Sequence, residues 1–316
     1  MYSKTFRANG KLLLSGEYFV LDGALSLALP TRFGQQLEVV AGAPENKRLH
    51  WMSLGMDGSP WFEGDFQMPD WTFLSGTDEG TGQALERLGR AALDLSPGWN
   101  AGEGASGVRT RLEFDRFWGL GSSSTLVAMM AEWAGADPFA LLDLTFGGSG
   151  YDLACAQASG PLLFQRVNNK PSWVQIPFQP AFSDRLFFVY QGKKQNSREG
   201  IARYRGLNAG KEDLIGQISA LTWQMAGARA LAEFESCMKT HERLVSEALQ
   251  LPTLGEQLFP DFWGAVKSLG AWGGDFFLAS SEKPEEKTRN YFQQKGFPVV
   301  LTYNEMILGQ KPPTSW

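Results

Sequence analysis

The stretch from residue 108 to residue 134 constrains the fold of this chain more than any other. Residues 108–114 alternate apolar and charged side chains, which predicts a half-buried strand. Residues 125–134 are apolar almost all round and predict a buried helix. Between them runs the loop Gly119-Leu120-Gly121-Ser122-Ser123-Ser124. A strand, a glycine-rich loop and a helix N-terminus together present N–H groups to an anion, so we interpret this loop as a nucleotide phosphate loop.

The serines of this loop add hydroxyl groups that can bond phosphate oxygens or a hydrated Mg²⁺. The alternative is structural: a Gly/Ser cluster often only connects two elements, and a serine is a common helix N-cap. The motif G-x-x-x-x-G-K-[ST] does not occur in the sequence, which excludes a P-loop nucleoside triphosphatase.

Composition narrows the function further. A chain of 316 residues is long enough for two domains with a shared cleft, which we expect here. The net charge of −5 and the lack of a Lys/Arg run argue against a nucleic-acid partner. No apolar run reaches membrane-spanning length, and Cys155 and Cys237 lack metal-ligand spacing, so we expect reduced thiols, no membrane partner and a cytoplasmic location. With only His50 and His241 present, a His-dependent triad or His-rich metal site is not expected.

Periodicity predicts the remaining elements. Helices are predicted over residues 82–95, 211–250, 261–268 and 284–294, and strands over residues 12–14, 25–30, 36–40, 49–53, 61–66, 162–164, 185–190, 276–279 and 298–303. A turn at residues 168–171 and a linker at residues 177–180 place the boundary between a domain of residues 1–178 and a domain of residues 179–316. The element order of the second domain predicts an antiparallel sheet backed by helices.

Three charged residues stand in unusual settings. Lys11 and Glu17 are embedded in otherwise apolar sequence, and buried charges are costly unless they are paired or used. The alternative is that both lie at strand ends in solvent. Asp152 follows a Gly-rich segment and precedes an Ala-rich one, so it is either a helix N-cap or a catalytic carboxylate.

Four segments in chain order resemble motifs of the GHMP kinases, the family of galactokinase, homoserine kinase, mevalonate kinase and phosphomevalonate kinase. Residues 10–18, Gly-Lys-Leu-Leu-Leu-Ser-Gly-Glu-Tyr, are similar to the first motif, and residues 119–124 to the second, phosphate-binding motif. Residues 269–275 resemble the third, a Gly-rich turn, and Asp152 stands where the family carries its catalytic Asp. The mevalonate and phosphomevalonate kinase branch is the most similar, and residues 150–154 resemble a subgroup named for a GYDIA signature.

The resemblance implies an α/β (α+β) two-domain fold, with an N-terminal domain like ribosomal protein S5 domain 2 and a C-terminal ferredoxin-like domain. It implies an ATP- and Mg²⁺-dependent kinase acting on a mevalonate- or phosphomevalonate-like acceptor in isoprenoid biosynthesis. Two alternatives share the fold: a degenerate nucleotide- or metabolite-binding protein, and an enzyme like mevalonate diphosphate decarboxylase. The expected partners are ATP and a small molecule, and homodimer formation is left open.

The resemblance also assigns roles by position. Asp152 would orient or deprotonate the acceptor hydroxyl, and Lys11 would favour the ionised form of that Asp and stabilise charge on the transferred phosphoryl group. The implied nucleotide-binding residues are Gly119, Leu120, Gly121, Ser122, Ser123 and Ser124, with Ser123 as the Mg²⁺ ligand. The implied substrate-binding residues are Glu17, Tyr18, Lys194, Ser197, Gly273 and Gly274, with a solvated turn as the alternative for Lys194 and Ser197.

Two features depart from the family pattern. Trp272 stands in the third motif where a Gly is usual, and it could crowd the backbone or cover the site. The interval from Ser124 to Gly150 is short, and no residue matches the family's Mg²⁺-ligating Glu; Asp143 or Glu17 could substitute. These departures favour the hypothesis of a binding protein without catalysis.

Overall fold

The structure is a computed structural model that describes residues 3–42, 47–101, 104–192, 197–206, 211–270 and 275–309, without the side chains of residues 197–199. The chain forms two compact units, each discontinuous in sequence. The first contains Met1–Gly10, Phe33–Arg116 and Leu120–Gln157, and the second contains Lys11–Arg32, Phe117–Gly119 and Ala158–Trp316. The domain boundary that we place at residue 178 stays a prediction.

The first unit is built on a sheet. Strands β1 (Lys4–Ser15) and β2 (Ser26–Ala41) contribute residues to both units, and β3 (Arg48–Leu54), β4 (Pro60–Gln67), β5 (Thr72–Gly76) and β6 (Ala105–Leu112) belong to the first. The strand order is β5-β4-β3-β6-β2, parallel between β3 and β6 and antiparallel elsewhere. On β4, Phe62 and Phe66 are buried while their neighbours are more exposed, the alternation expected of a sheet with one face on the core.

Helices of the first unit pack against one face of this sheet: α1 (Glu79–Leu95), α2 (Ser122–Ala134), α3 (Pro138–Thr145) and α4 (Tyr151–Gln157). Asp78 caps α1 by accepting the Thr81 N–H at 2.7 Å, and Leu85, Leu88 and Ala92 form its buried face. The strand predicted over residues 108–114 and the helices predicted over residues 82–95 and 125–134 are therefore confirmed, with small shifts at their ends.

The second unit contains a hairpin and a separate antiparallel sheet. The hairpin β7 (Leu162–Val167) and β8 (Lys170–Gln175) pairs through β7 with residues 26–28 of β2. The remaining elements are β9 (Leu186–Tyr190), α5 (Ser197–Arg205), α6 (Lys211–Gly227), α7 (Leu231–Leu249), α8 (Leu254–Leu258), β10 (Val266–Ser268), β11 (Phe276–Ser280), α9 (Glu285–Gln294), β12 (Val300–Thr302) and α10 (Tyr303–Met306). The sheet order β10-β11-β9-β12 is antiparallel throughout, which confirms the predicted antiparallel sheet.

Two predicted helices differ from the structure. The helix predicted over residues 261–268 is wrong, because Val266 and its neighbours form strand β10 and pair with Ala279 and the rest of β11. Gly264 permits this approach, since a Cβ there would lie 1.8 Å from the Ser280 carbonyl oxygen. The helix predicted over residues 211–250 is two helices: α6 ends at Gly227, and the Glu233 carboxylate accepts the Arg229 N–H at 2.9 Å where α7 begins.

In the part of the chain that the structure describes, none of the helices combines the length and apolar character needed to cross a bilayer.

Candidate active site

The loop at residues 119–124 has the backbone of an anion-binding turn. Gly119 and Gly121 have φ values of +66° and +89°, in the region that favours glycine. Gly121 is the N-cap of α2, and no side chain caps that helix end. The N–H groups of Ser122, Ser123 and Ser124 therefore begin the helix without intrahelical acceptors, whereas the Thr125 N–H bonds the Gly121 carbonyl at 3.0 Å. Such a helix end attracts a negatively charged group.

The first turn of α2 is anchored to the sheet. The Thr125 hydroxyl, which is buried, donates to Oε1 of Gln35 on β2 at 2.6 Å. Val127, Met129 and Met130 behind it are also buried, so α2 is enclosed by the core. Because both the polar and the apolar contacts hold this turn, Ser122 and Ser123 at its tip occupy a defined position, with Ser123 exposed.

Asp152 lies beside the phosphate loop. It is the second residue of α4, so it is not the N-cap that the sequence left as an alternative. Gly147, Gly148 and Gly150 all have positive φ values and form the turn that brings the chain into α4. The Ser124 hydroxyl donates to Asp152 Oδ2 at 3.5 Å, so the phosphate loop and the predicted catalytic carboxylate meet in the first unit.

Glu17 lies in a buried polar cluster of the second unit, where one of its two carboxylate oxygens is hydrogen-bonded. Its side chain is 2% exposed; Oε1 accepts from Lys267 Nζ at 2.5 Å, and Oε2 lies 3.2 Å from His241 Nε2. The Lys267 ammonium also donates to the Ser268 carbonyl at 2.9 Å, and the Gly16 N–H donates to His241 Nε2 at 3.1 Å. The embedded charge that the sequence singled out at position 17 is therefore buried and paired.

Burial dominates the electrostatics of this cluster. It raises the pKa of Glu17, although the charge and hydrogen bond of Lys267 act in the opposite direction. It lowers the pKa of His241 well below the usual value, and Lys267 lowers it further. Since His241 Nε2 accepts the Gly16 N–H, the neutral imidazole carries its proton on Nδ1. Burial also raises the pKa of Glu242, which accepts from both the backbone N–H and the hydroxyl of Ser268.

Gly119 makes a close contact with Asp275, the last residue of the third motif. A Cβ at position 119 would lie 1.6 Å from Asp275 Oδ2, so only glycine allows the two segments to approach in this way. The Asp275 carbonyl accepts the Gln191 N–H at 2.9 Å at the end of β9. Within the second unit, this contact joins the first residue of the phosphate loop to the start of β11.

The other predicted site residues lie in varied settings. Lys11 is half-buried on β1, and Tyr18 is buried directly after Glu17. Leu120 is fully buried. Lys194, Gly273 and Gly274 lie outside the described residues, as does Trp272, and of Ser197 only the backbone at the start of α5 is described.

The residues near the phosphate loop fit Mg²⁺ only as a partly hydrated ion. Among the described residues no group of three or more His, Cys, Asp and Glu side chains could hold a metal ion, and Asp143 is exposed on α3. Mg²⁺ usually takes one or two carboxylates and keeps substrate phosphates and water as its other ligands. The oxygens of Ser123 and Asp152 are donors of that type.

Sequence reasoning missed Gln35, His241 and Lys267. Lys267 carries a signal, since it is a single charge in the otherwise apolar run Ala265-Val266-Lys267, but the helix predicted there hid its position in a strand. No local sequence signal points to Gln35 or His241. Their hydrogen-bond partners, Thr125 for Gln35 and Gly16 for His241, are far away in sequence.

Comparison with known proteins identifies the fold. No protein-family model matches the sequence, and no curated protein matches it. Solved structures match along almost the whole chain. The mevalonate kinase of Methanococcus jannaschii has a TM-score of 0.67 and 13% identity, covering 95% of this chain and 97% of that one. The Streptococcus pneumoniae phosphomevalonate kinase in complex with phosphomevalonate and AMPPNP has a TM-score of 0.67 and 15% identity, covering 95% and 99%. The galactokinase of Lactococcus lactis, complexed with galactose, has a TM-score of 0.69 and 12% identity, covering 98% and 94%.

The chain therefore has a mixed α/β fold of the class used by small-molecule kinases. More particularly, it has the fold shared by mevalonate kinase, phosphomevalonate kinase and galactokinase, which confirms at the level of the fold the resemblance to the GHMP kinases.

Proposed function

We propose that this protein is a GHMP kinase that transfers the γ-phosphoryl group of ATP to a mevalonate- or phosphomevalonate-like acceptor. The observation that carries the proposal is the contact between Ser124 and Asp152, 3.5 Å from hydroxyl to carboxylate, at the N-terminus of α2. Phosphoryl transfer requires chiefly positioning and neutralisation of spread charge. The N-terminus of α2 can bind the phosphates, and the carboxylate beside it can position the acceptor, so both requirements are met at one place in the first unit.

Each residue has a role in this proposal. The N–H groups of Ser122, Ser123 and Ser124 hold the phosphates of ATP, with Gly119, Leu120 and Gly121 shaping the loop. Asp152 orients the acceptor hydroxyl and receives its proton as the oxygen attacks phosphorus. Lys11 stabilises the negative charge that spreads over the phosphoryl oxygens. Tyr18, Lys194, Ser197, Gly273 and Gly274 complete the acceptor site.

Mg²⁺, when bound, would neutralise charge on the phosphates of ATP, and Ser123 is its proposed protein ligand. Ser123 is exposed at the tip of α2, where phosphate oxygens and water can complete the coordination.

An acceptor panel tests the proposal. ADP release is measured with ATP, Mg²⁺ and, in turn, R-mevalonate, phosphomevalonate, homoserine and galactose. We expect acceptor-dependent ADP release with one of the mevalonate compounds. AMPPNP binding without ADP release for any acceptor would favour the binding-protein alternative, and release of CO₂ from mevalonate diphosphate would favour the decarboxylase.

A matched pair of variants tests the carboxylate. Asp152→Asn removes the proton acceptor and should lower kcat by about 10²–10⁴-fold. Asp94→Asn makes the same chemical change at an exposed position of α1 and should leave kcat unchanged. Equal turnover by the two variants would remove Asp152 from the mechanism.

We further propose a place in isoprenoid biosynthesis, a cytoplasmic location and the GYDIA-type subgroup as its setting. The acidic charge balance supports the absence of a nucleic-acid partner. Whether the protein forms a homodimer is a question for light scattering.

A further inference from the structure

The backbone at Tyr18 is strained. Its φ and ψ values are +61° and −46°, outside the conformations that residues with a side chain normally adopt. The Phe19 N–H donates to the Glu17 carbonyl at 2.7 Å, which closes a three-residue γ-turn of the rare form with positive central φ. Such a turn persists only where the surrounding structure holds it, and strain of this kind clusters at functional sites.

On one side, the turn is held by the buried carboxylate of Glu17. Lys267 Nζ lies 2.5 Å from Glu17 Oε1, and the same ammonium donates to the Ser268 carbonyl. Glu242 in turn accepts from the N–H and hydroxyl of Ser268, at 2.9 Å each. Residue 17 is therefore tied through Lys267 to β10, and β10 is tied to α7.

On the other side, the turn is held by the Tyr18 ring. This ring stacks on the ring of Tyr204 with centroids 6.0 Å apart, and the Tyr204 hydroxyl donates to Asp22 at 2.7 Å. A Cβ at Gly200 would lie 2.2 Å from the Tyr18 hydroxyl oxygen, so the end of the ring lies against α5. The position of the ring thus depends on the backbone conformation of the strained turn at Tyr18.

We propose that the Glu17–Lys267 pair is a positioning pair that holds Tyr18 in its strained turn and fixes its ring against α5, and that Glu17 contacts neither the acceptor nor a metal ion. The proposal rests on the proposed function to the extent that Tyr18 is taken as an acceptor-site residue. A carboxylate that binds a ligand needs an oxygen that the ligand can reach, whereas the Glu17 side chain is 2% exposed: Oε1 accepts from Lys267, and Oε2 is buried beside His241 without a hydrogen bond from any described residue.

The test places 3-fluorotyrosine at position 18 of the full chain and records its ¹⁹F NMR signal, which reports the surroundings of that ring alone. Gly200→Ala calibrates the signal, because its added methyl group must displace the ring. Glu17→Gln keeps the shape of the side chain and removes its charge, and it should shift or split the signal. Thr288→Val is the matched control: it removes a buried hydrogen bond, to Ser281 at 2.8 Å, elsewhere in the same unit, and should leave the signal unchanged.

A double variant separates positioning from stability. Glu17→Gln alone leaves the Lys267 ammonium buried without its partner, which can prevent folding. The double variant Glu17→Gln/Lys267→Met removes both charges, and a buried ion pair replaced on both sides often leaves a protein fully stable. We expect it to fold, to melt at or above the temperature of Glu17→Gln, and still to show the shifted signal.

A wild-type ¹⁹F signal in the folded double variant would overturn the proposal. Because this measurement uses neither ATP nor an acceptor, it is independent of the kinase assay. A shifted signal in a protein without kinase activity would keep the positioning pair and reject the proposed function. An unshifted signal in an active kinase would do the opposite.

Discussion

At the scale of single residues, glycines and buried charges determine the candidate site. Gly119 allows Asp275 to lie against the start of the phosphate loop, and Gly121 starts α2 with a left-handed residue. Glu17 and Lys267 show the opposite case, in which charged side chains are buried because each satisfies the other. Neither the close approach at Gly119 nor the burial of the Glu17–Lys267 pair follows from the hydrophobicity of the surrounding sequence. Both depend on which residues are neighbours in the folded chain.

The contact at Gly119 predicts a cost beyond backbone strain. Gly119→Ala places a methyl group in left-handed backbone, which costs about 1–2 kcal/mol, and also forces Asp275 aside. Gly135 has the same φ of +66° with open space around an added Cβ, so Gly135→Ala loses only the free energy due to backbone strain. Urea denaturation should show a loss of unfolding free energy larger for Gly119→Ala by about 1–3 kcal/mol. Equal losses would show that Asp275 moves freely.

The buried imidazole of His241 predicts a pH dependence of stability. Burial holds its folded-state pKa well below the unfolded value of 6.5, so the unfolded chain binds a proton that the folded chain excludes. Above pH 6.5 the imidazole is neutral in both states, so its titration does not lower the free energy of unfolding. Below pH 6.5 the free energy of unfolding falls by about 1.4 kcal/mol for each pH unit, until the folded-state pKa is reached.

His241→Gln removes this titration and His50→Gln, at an exposed site, does not. Burial raises the pKa of Glu17 and Glu242. The stability that these two protonated carboxyl groups contribute is therefore fully present below pH 4.5 and is lost as the pH rises through their folded-state pKa. Both carboxyl groups are present in every variant, so the difference between His241→Gln and wild type from pH 7 to pH 5.5 isolates His241. A parallel pH dependence in the two proteins would contradict the prediction.

At the scale of elements, the position of α2 depends on its first turn. The helix is apolar on most sides and could slide or rotate within a hydrophobic core without large changes in buried area. The hydrogen bond from Thr125 to Gln35 of β2 removes that freedom, because a buried polar pair has one acceptable geometry. This contact, together with the apolar packing of α2, fixes where the phosphate loop ends.

Thr125→Val tests the anchor. The variant keeps the shape of the side chain but leaves Gln35 Oε1 without its donor, which should lower the unfolding free energy by about 1–3 kcal/mol. Thr145→Val is the control, since among the described residues the Thr145 hydroxyl donates to carbonyls of its own helix, with Leu141 O at 2.6 Å. The double variant Gln35→Met/Thr125→Val removes both polar partners and should recover most of the loss. A double variant as unstable as Thr125→Val would contradict this account.

At the scale of the whole molecule, the proposed nucleotide site predicts stabilisation by ligand. AMPPNP bound to the folded state alone should raise the unfolding free energy by about 2.7 kcal/mol at a concentration of 100 Kd. Asp152→Asn should show the same rise, because the phosphates are assigned to the N–H groups of α2 and not to the carboxylate. Thermal melts with increasing AMPPNP measure both. No concentration dependence in wild type would contradict nucleotide binding.

Much of the fold could be predicted because its signals are local. The periodic Leu85, Leu88 and Ala92 identify α1 without knowledge of any distant residue, and alternation identifies β6. The wrong helix at residues 261–268 has a tertiary cause. Residues 261–268 have a helical pattern, but Gly264 lets this segment approach the edge of β11, and residues 266–268 pair with that edge as a strand. Pairing across the sheet outweighs the weak local preference for a helix.

The sequence by itself determined the order of the motifs, the phosphate loop between a strand and a buried helix, and the presence of unusual charges at Glu17 and Asp152. Only the tertiary structure decided what those charges do: Asp152 meets Ser124, whereas Glu17 is enclosed with Lys267 and His241. The physical reason is that the effect of a charge depends on its neighbours and on its exclusion from water, and both are properties of the folded chain.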